Sequence, residues 1–313
     1  MYLIIFKLME SYMKKLISLL LLLIFTVGLF GCTQNSVDSG KLKIVTVNFP
    51  GYDFARQLSG EKAEVTMLIP AGAETHSFEP TTSDIVKISQ CDIFIYTGGE
   101  SDTWIDSLIK SADNPNMEII ALIDCVEAKA HEDEHSHSEI DEHVWTSPKN
   151  AIKICNKISS VLVSKDSKNQ SYYENRLDSY IDKLESLHKE FRDVIDGGVR
   201  KTLVFGDRFP LLYFAEEYSL NYHAAFSGCS EDTEPSAGTV AELIETVKKE
   251  NIPVIFKIEL SADSIAKTIA EETGAEVLTF YSCHNVSKED FDKGETYLSL
   301  MNKNVDSLKI ALY

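Results

Sequence analysis

One stretch constrains the fold of this chain more than any other. Between positions 171 and 195, apolar or aromatic side chains recur at Tyr173, Leu177, Tyr180, Ile181, Leu184, Leu187, Phe191 and Ile195. That three-to-four spacing is the mark of a one-sided helix, and Gly197-Gly198 ends it. At about 1.5 Å per residue the helix is some 35–40 Å long, enough to run down a whole domain. On either side of it, short β-branched runs alternate with helical patterns. Strands are expected at 43–47, 65–68, 93–96 and 118–122 before it, and at 202–205, 222–225, 254–258 and 276–280 after it. Helices are expected at 52–58, 83–89 and 103–109, then at 210–218, 240–249, 265–272 and 297–312. Such alternation builds parallel sheets from βαβ units. The expected fold is therefore α/β, with two similar lobes, each a four-stranded mostly parallel sheet with flanking helices, joined by one long rigid helix. The lobes are expected at 41–165 and 199–313, with the linking helix at 166–198. A helix is a stiffer linker than a polar loop, so the lobes should move little against each other.

The N-terminus reads differently. Met13-Lys14-Lys15 opens a basic patch, an apolar run follows from 16 to 27, and Gly31-Cys32 closes it. A dozen apolar residues are too few to span a bilayer and match the core of a secretory signal. Small Gly31 before Cys32 resembles a bacterial lipobox, which implies that Cys32 is lipidated and begins the mature chain. Residues 1–31 are thus expected to be a signal peptide whose true start is Met13, and 32–40 a lipidated tether. The expected location is the extracellular face of the cell membrane of a bacterium, of Gram-positive type.

Charge narrows the partners. Lys+Arg total 30 against Asp+Glu 49, a net charge of -19. That excludes a nucleic-acid binder, which needs a basic face against phosphates. An acidic surface is compatible with handling cations, though solubility alone explains it too. With Cys32 spent on lipid, five of the six cysteines remain. Cys91, Cys125 and Cys155 fall in or beside apolar runs and are expected to be buried, whereas Cys229 and Cys283 fall in loops. No CxxC occurs, so a zinc ribbon or thioredoxin-type site is out.

The chemistry comes from where the histidines fall. His76 follows the second expected strand, His143 the fourth, Asp207 the fifth and His284 the eighth. All four lie beyond the carboxyl ends of strands, two from each lobe, and in open α/β sheets that edge is where ligands bind. Three imidazoles with one carboxylate suit a borderline-soft divalent metal in tetrahedral geometry. Arg208, beside Asp207, has no lone pair to offer a cation. Between the fourth strand and His143 runs an acidic segment with three more imidazoles, His131, His135 and His137. It reads either as a solvated charge run or as a weak metal-collecting arm. His188 in the long helix and His223 in a strand are given to structure. Glu259, Glu216 and Glu217 are read as helix-surface charges. Cys283-His284 does not make a nucleophile–base pair, since adjacent residues rarely face each other.

The lipobox start, HSFEPTTSDI at 76–85, DEHVWTSPKNA at 141–151, the Tyr-rich helix and the SLMNKNVDSLKIAL ending together resemble the zinc/manganese substrate-binding lipoproteins of bacterial ABC transporters. This family is also called the cluster A-I or zinc-uptake binding proteins. The resemblance spans essentially the whole mature chain. It implies two α/β lobes joined by one long helix with a metal in the cleft between them, and it carries the first two ligands onto His76 and His143. Many relatives have a His where this chain reads Gly206-Asp207-Arg208, and an acidic residue near Cys283-His284. Here the types are exchanged, leaving Asp207 and His284 as the third and fourth donors. A His- and acid-rich loop in this place is typical of the zinc-type members and favours Zn²⁺ over Mn²⁺. The expected function is capture of a divalent metal outside the cytoplasm and its delivery to an ABC permease with its ATPase, by a monomer without enzymatic activity. A manganese-specific binder, an extracellular zinc metalloenzyme and an adhesin stand as the alternatives. A catalytic zinc keeps a position open for water, and four protein ligands leave none.

Overall fold

The computed structural model describes residues 40–75, 78–99, 102, 104–129, 140–226 and 235–313, with residues 2, 5, 6, 9, 10 and 12–15 of the N-terminus. The chain divides into two compact units, Met1–Lys41 and Leu42–Tyr313. In the first, residues 12–15 are helical and Lys14 pairs with Glu10 at 2.8 Å. Cys32 lies outside the described residues. Among the described residues no helix is long and apolar enough to cross a membrane.

The second unit holds eight strands in two sheets. β1 (Leu42–Thr46), β2 (Ala63–Met67), β3 (Ile93–Tyr96) and β4 (Glu118–Ala121) assemble in the order β2-β1-β3-β4. β5 (Thr202–Arg208), β6 (Asn221–Phe226), β7 (Val254–Ile258) and β8 (Glu276–Phe280) assemble in the equivalent order β6-β5-β7-β8. Every pairing in both sheets is parallel. Parallel strands bury both faces, so successive side chains enter different cores. Ile44, Ile93 and Ile95 face a core shared by both lobes, while Val45 and Phe94 face a smaller one. In the second sheet Leu203, Phe205, Val254 and Phe256 enter the shared core, and Val204 and Ile255 a third cluster.

Helices cover both faces of each sheet. α1 (Phe49–Ser59), α2 (Thr82–Ser89) and α3 (Ile105–Ala112) belong to the first lobe. α4 (Pro148–Lys165) follows, a helix absent from the sequence expectation. Ser147 caps it by accepting from Asn150 N–H, Pro148 takes its first position, and Ala151, Ile154, Cys155, Ile158 and Leu162 form its buried stripe. This arrangement satisfies the first-turn donors and suits proline's missing N–H.

α5 (Gln170–Gly197) is the long helix, 28 residues or about 40 Å. Tyr173, Tyr180, Leu184, Leu187, Phe191, Val194 and Ile195 bury its inner stripe. Its end needs glycine: a Cβ on Gly198 would come within 2.8 Å of Leu312 Cβ, where the C-terminal helix crosses. α6 (Leu212–Tyr218), α7 (Ala237–Glu250), α8 (Ser264–Thr273), α9 (Lys288–Asp292) and α10 (Tyr297–Leu312) complete the second lobe.

The linking helix is not the only tie between the lobes. Tyr297 N–H donates to Asp53 (2.9 Å), and its hydroxyl donates to the Trp145 carbonyl (2.7 Å). Trp145 Nε1 donates in turn to the Ser282 carbonyl at 2.8 Å. Asn285 Nδ2 donates to the carbonyls of Pro70 and Ala73, and Gly72 N–H to the Val286 carbonyl. Hydrogen bonds like these, mostly buried, are costly to break without replacement, so the cleft edge is held from both sides.

Candidate metal centre

The carboxyl ends of both sheets meet around one cavity of about 290 Å³, whose walls include Thr75, His143, Asp207, Arg208, Glu259 and His284. His143 stands between β4 and α4 and is fully buried. Its Nδ1 lies 3.0 Å from Asp141 Oδ1, and the same oxygen accepts the His143 backbone N–H at 2.8 Å. An ionised carboxylate only accepts, so Nδ1 carries the hydrogen and Nε2 is left with the lone pair that a metal requires. The Tyr213 hydroxyl donates to the Asp141 carbonyl at 2.9 Å, and the Thr146 hydroxyl to the His143 carbonyl at 2.8 Å. The imidazole is thus held in orientation by residues of both lobes.

His284 comes from the turn after β8. Cys283, just before it, has a φ of 59°, in the left-handed region. A side chain there is strained, and such strain concentrates where a loop aims a functional group. Glu259, beyond β7, holds the turn: Ser282 donates to it through its N–H (2.7 Å) and its hydroxyl (2.8 Å). The Ser282 hydroxyl oxygen accepts the His284 N–H at 3.2 Å. His284 Nδ1 lies 3.3 Å from the Thr75 hydroxyl of the first lobe. The rings of His143 and His284 meet edge to face, centroids 4.9 Å apart at 89°, and Trp145 flanks them at 5.5 and 5.2 Å.

Asp207 is the penultimate residue of β5, within a register irregularity between Phe205 and Arg208. Its Oδ1 accepts the Arg208 N–H (2.7 Å) and its Oδ2 the Ile258 N–H (3.0 Å), tying β5 to β7. Each oxygen keeps a further lone pair for a ligand. The preceding Gly206 admits no side chain, because a Cβ there would lie 2.5 Å from Ala266 Cα in α8.

The structure therefore brings His143 and His284 together and sets Asp207 on the same cavity wall. Among the described residues no three His, Cys, Asp or Glu side chains converge to hold an ion. His76, His131, His135, His137 and Cys229 lie outside the described residues. Glu259 corrects the sequence reading of a helix-surface charge. It is buried at a strand end, where desolvation raises its carboxyl pKa and the Ser282 donors pull it the other way. The acid in DEH and the Glu directly after a β-branched run are the signals that point to Asp141 and Glu259. Cys283 is a free, fully buried thiol that desolvation keeps protonated, which removes it as a nucleophile. His188 bonds the Tyr218 hydroxyl at 2.9 Å, a structural contact.

Comparison with known proteins agrees with this architecture. The family model for the zinc-uptake complex component A, periplasmic, matches residues 44–311. The chain belongs to this family. It is similar to the high-affinity zinc uptake system protein ZnuA of Bacillus subtilis, 34% identical over 293 residues covering 90% of this chain and 91% of that protein. Similarity to the zinc-binding lipoprotein AdcA of Streptococcus pneumoniae R6 is 34% over 307 residues, 95% of this chain. The chain spans 61% of that relative's length. Among solved structures, the Zn(II)-bound ZnuA-like domain of Streptococcus pneumoniae AdcA superposes with a TM-score of 0.75 at 33% identity, covering 87% of this chain and 99% of that domain.

Proposed function

We propose that this protein captures zinc outside the cytoplasm and delivers it to an ABC permease with its ATPase. The observation that carries this reading is the facing pair His143 and His284, one imidazole from each lobe, meeting at the strand-end cavity with His143 oriented by a buried carboxylate. The names of its relatives support zinc as cargo. His76, His143, Asp207 and His284 are the four donors in this reading: three borderline imidazoles and one carboxylate, a tetrahedral set that suits Zn²⁺ over Mn²⁺. Four protein donors leave no open position for an activated water, so the role is binding and not catalysis. His131, His135 and His137 collect ions weakly for the cleft. A lipid on Cys32 tethers the monomer to the outer face of the membrane. The lobes are residues 41–165 and 199–313, joined through 166–198.

Native mass spectrometry of the full mature chain, with and without chelator, tests the reading. One tightly held zinc per chain, displaced by chelator and not by an equal amount of manganese, is the expected result. A chain that retains no zinc overturns it.

A further inference from the structure

Each of the two facing imidazoles is braced, through one intermediary, by an aromatic side chain of the opposite lobe. Tyr213 belongs to α6 in the second lobe and is buried. Its hydroxyl donates to the Asp141 carbonyl (2.9 Å) and accepts the Lys129 N–H (3.0 Å), both in the first lobe. Burial pushes that phenol up to about 12, so it keeps its proton and remains a donor at physiological pH. Asp141 in turn holds the backbone N–H and the ring nitrogen of His143. The second path runs the other way. Trp145, in the first lobe's turn Val144–Thr146, is fully buried, and its Nε1 donates to the Ser282 carbonyl at 2.8 Å. The Ser282 hydroxyl oxygen accepts the His284 N–H. The indole ring also flanks both imidazoles, at 5.5 and 5.2 Å between centroids. Other ties between the lobes end elsewhere: Lys149 pairs with Glu217 at 2.6 Å, and neither touches Asp141, Ser282 or an imidazole.

We infer that Tyr213 and Trp145 are positioning residues for the metal donors, each aiming the imidazole of the opposite lobe, so that parting the lobes misaims both donors together and frees the ion. This rests on the metal-binding function proposed above. A ring nitrogen ligates only when its lone pair points at the ion, and the groups behind the ring set that direction. Because the two braces cross, neither imidazole is held by its own lobe alone. Lobe separation takes the phenol from the Asp141 carbonyl and the indole from the Ser282 carbonyl in one movement.

The test uses the full mature chain stripped of metal by chelator, with the variants Tyr213→Phe, Trp145→Phe and Glu217→Gln. Three quantities are read: zinc affinity, the rate at which a chelator captures the released ion, and the visible absorption spectrum with cobalt in place of zinc. Tyr213→Phe and Trp145→Phe each weaken zinc binding about tenfold, the lower end for loss of an outer partner. Both release the ion faster and shift the cobalt spectrum, which reports the geometry of the donors. Glu217→Gln breaks a tie between the lobes without touching a donor's support, and matches wild type in all three. Tyr213→Phe keeps the ring and removes only the hydroxyl, so it decides the question alone should Trp145→Phe not fold. If the aromatic side chains only hold the fold together, Tyr213→Phe lowers the melting temperature of the metal-free chain and leaves the cobalt spectrum parental. That result overturns the inference while zinc binding stands. Equal weakening in Glu217→Gln overturns it too, because any lost tie between the lobes would then do the same. Absence of zinc binding in the wild type overturns the proposed function, and this inference with it.

Discussion

The two halves of the cleft share a strand order, yet they present their imidazoles by different means. In the first lobe His143 is fully buried, and Asp141 bonds its ring nitrogen directly. In the second, His284 rides on a left-handed turn at Cys283, and the carboxylate of Glu259 holds that turn through Ser282 and the Cys283 backbone. The first arrangement fixes one ring nitrogen as donor and the other as acceptor before any ion arrives. The second fixes the backbone that carries the ring. Equal topology therefore does not mean equal preorganisation: the first lobe offers a set ligand and the second a set position.

Removal of the ligands themselves probes this contrast with the largest effect. His143→Ala and His284→Ala should each lower zinc affinity by more than the roughly hundredfold typical of losing an outer partner. Asp207→Ala should weaken binding as well and also lower the melting temperature of the metal-free protein, because the N–H groups of Arg208 and Ile258 lose their acceptor. Isothermal titration with zinc and thermal melts of the three variants make the comparison. Parental affinity in Asp207→Ala would remove that residue from the donor set and leave it a clasp between β5 and β7.

Much of this architecture is readable from the chain, for a physical reason. Strands buried on both faces appear as continuous apolar runs such as Val254-Ile-Phe, and the expected runs fall within a residue or two of the eight strands of the second unit, except that β5 runs three residues beyond the expected 202–205. α4 escapes because its buried stripe of Ala151, Ile154, Cys155, Ile158, Val161 and Leu162 is interleaved with the half-buried Ile152 and Val163, which blur the helical period. At the site, the strand-end positions of His143, Asp207 and His284 follow from the alternation. The strand-end position of Glu259 follows as well, but its role does not, because its hydrogen bonds go to Ser282, 23 positions further on, and no local pattern encodes a partner at that distance. The facing of the two imidazoles is a tertiary fact of the same kind.

The outer partners sharpen the comparison at intermediate size. Asp141→Asn keeps the shape and lets the amide donate where the carboxylate accepted, so the His143 ring loses its enforced tautomer. A fall of about 10–100-fold in zinc affinity is expected. Glu259→Gln should cost less, since Glu259 acts on the turn and not on the ring. It also replaces a carboxyl whose pKa burial already raises, so the amide relieves part of the cost of charge burial. Zinc titrations of the two variants decide: an equal or larger loss in Glu259→Gln would mean that the second lobe is as finely set as the first.

The smallest effect separates the lobes away from the site. α2 opens with a reciprocal capping box in which Thr81 and Asp84 each bond the other's backbone N–H, whereas the equivalent α7 has only the Ser236 hydroxyl accepting from Thr239. Burial pushes the Asp84 carboxyl up, but the Lys87 ammonium and the Thr81 N–H and hydroxyl outweigh it and hold it below its ordinary value of 3.8. A carboxyl depressed in the folded state contributes stability that is present above its unfolded pKa and lost as pH falls through the folded one. Asp84→Ala should therefore cost about 1 kcal/mol in urea unfolding at neutral pH. That difference should shrink as pH drops below 3.8, where wild type loses the charge as well. Ser236→Ala in α7 should also cost about 1 kcal/mol or less, with no acid dependence, because a hydroxyl does not titrate there. A pH-independent penalty in Asp84→Ala would show that the cap works through packing and not through its charge, and would erase this distinction between the lobes.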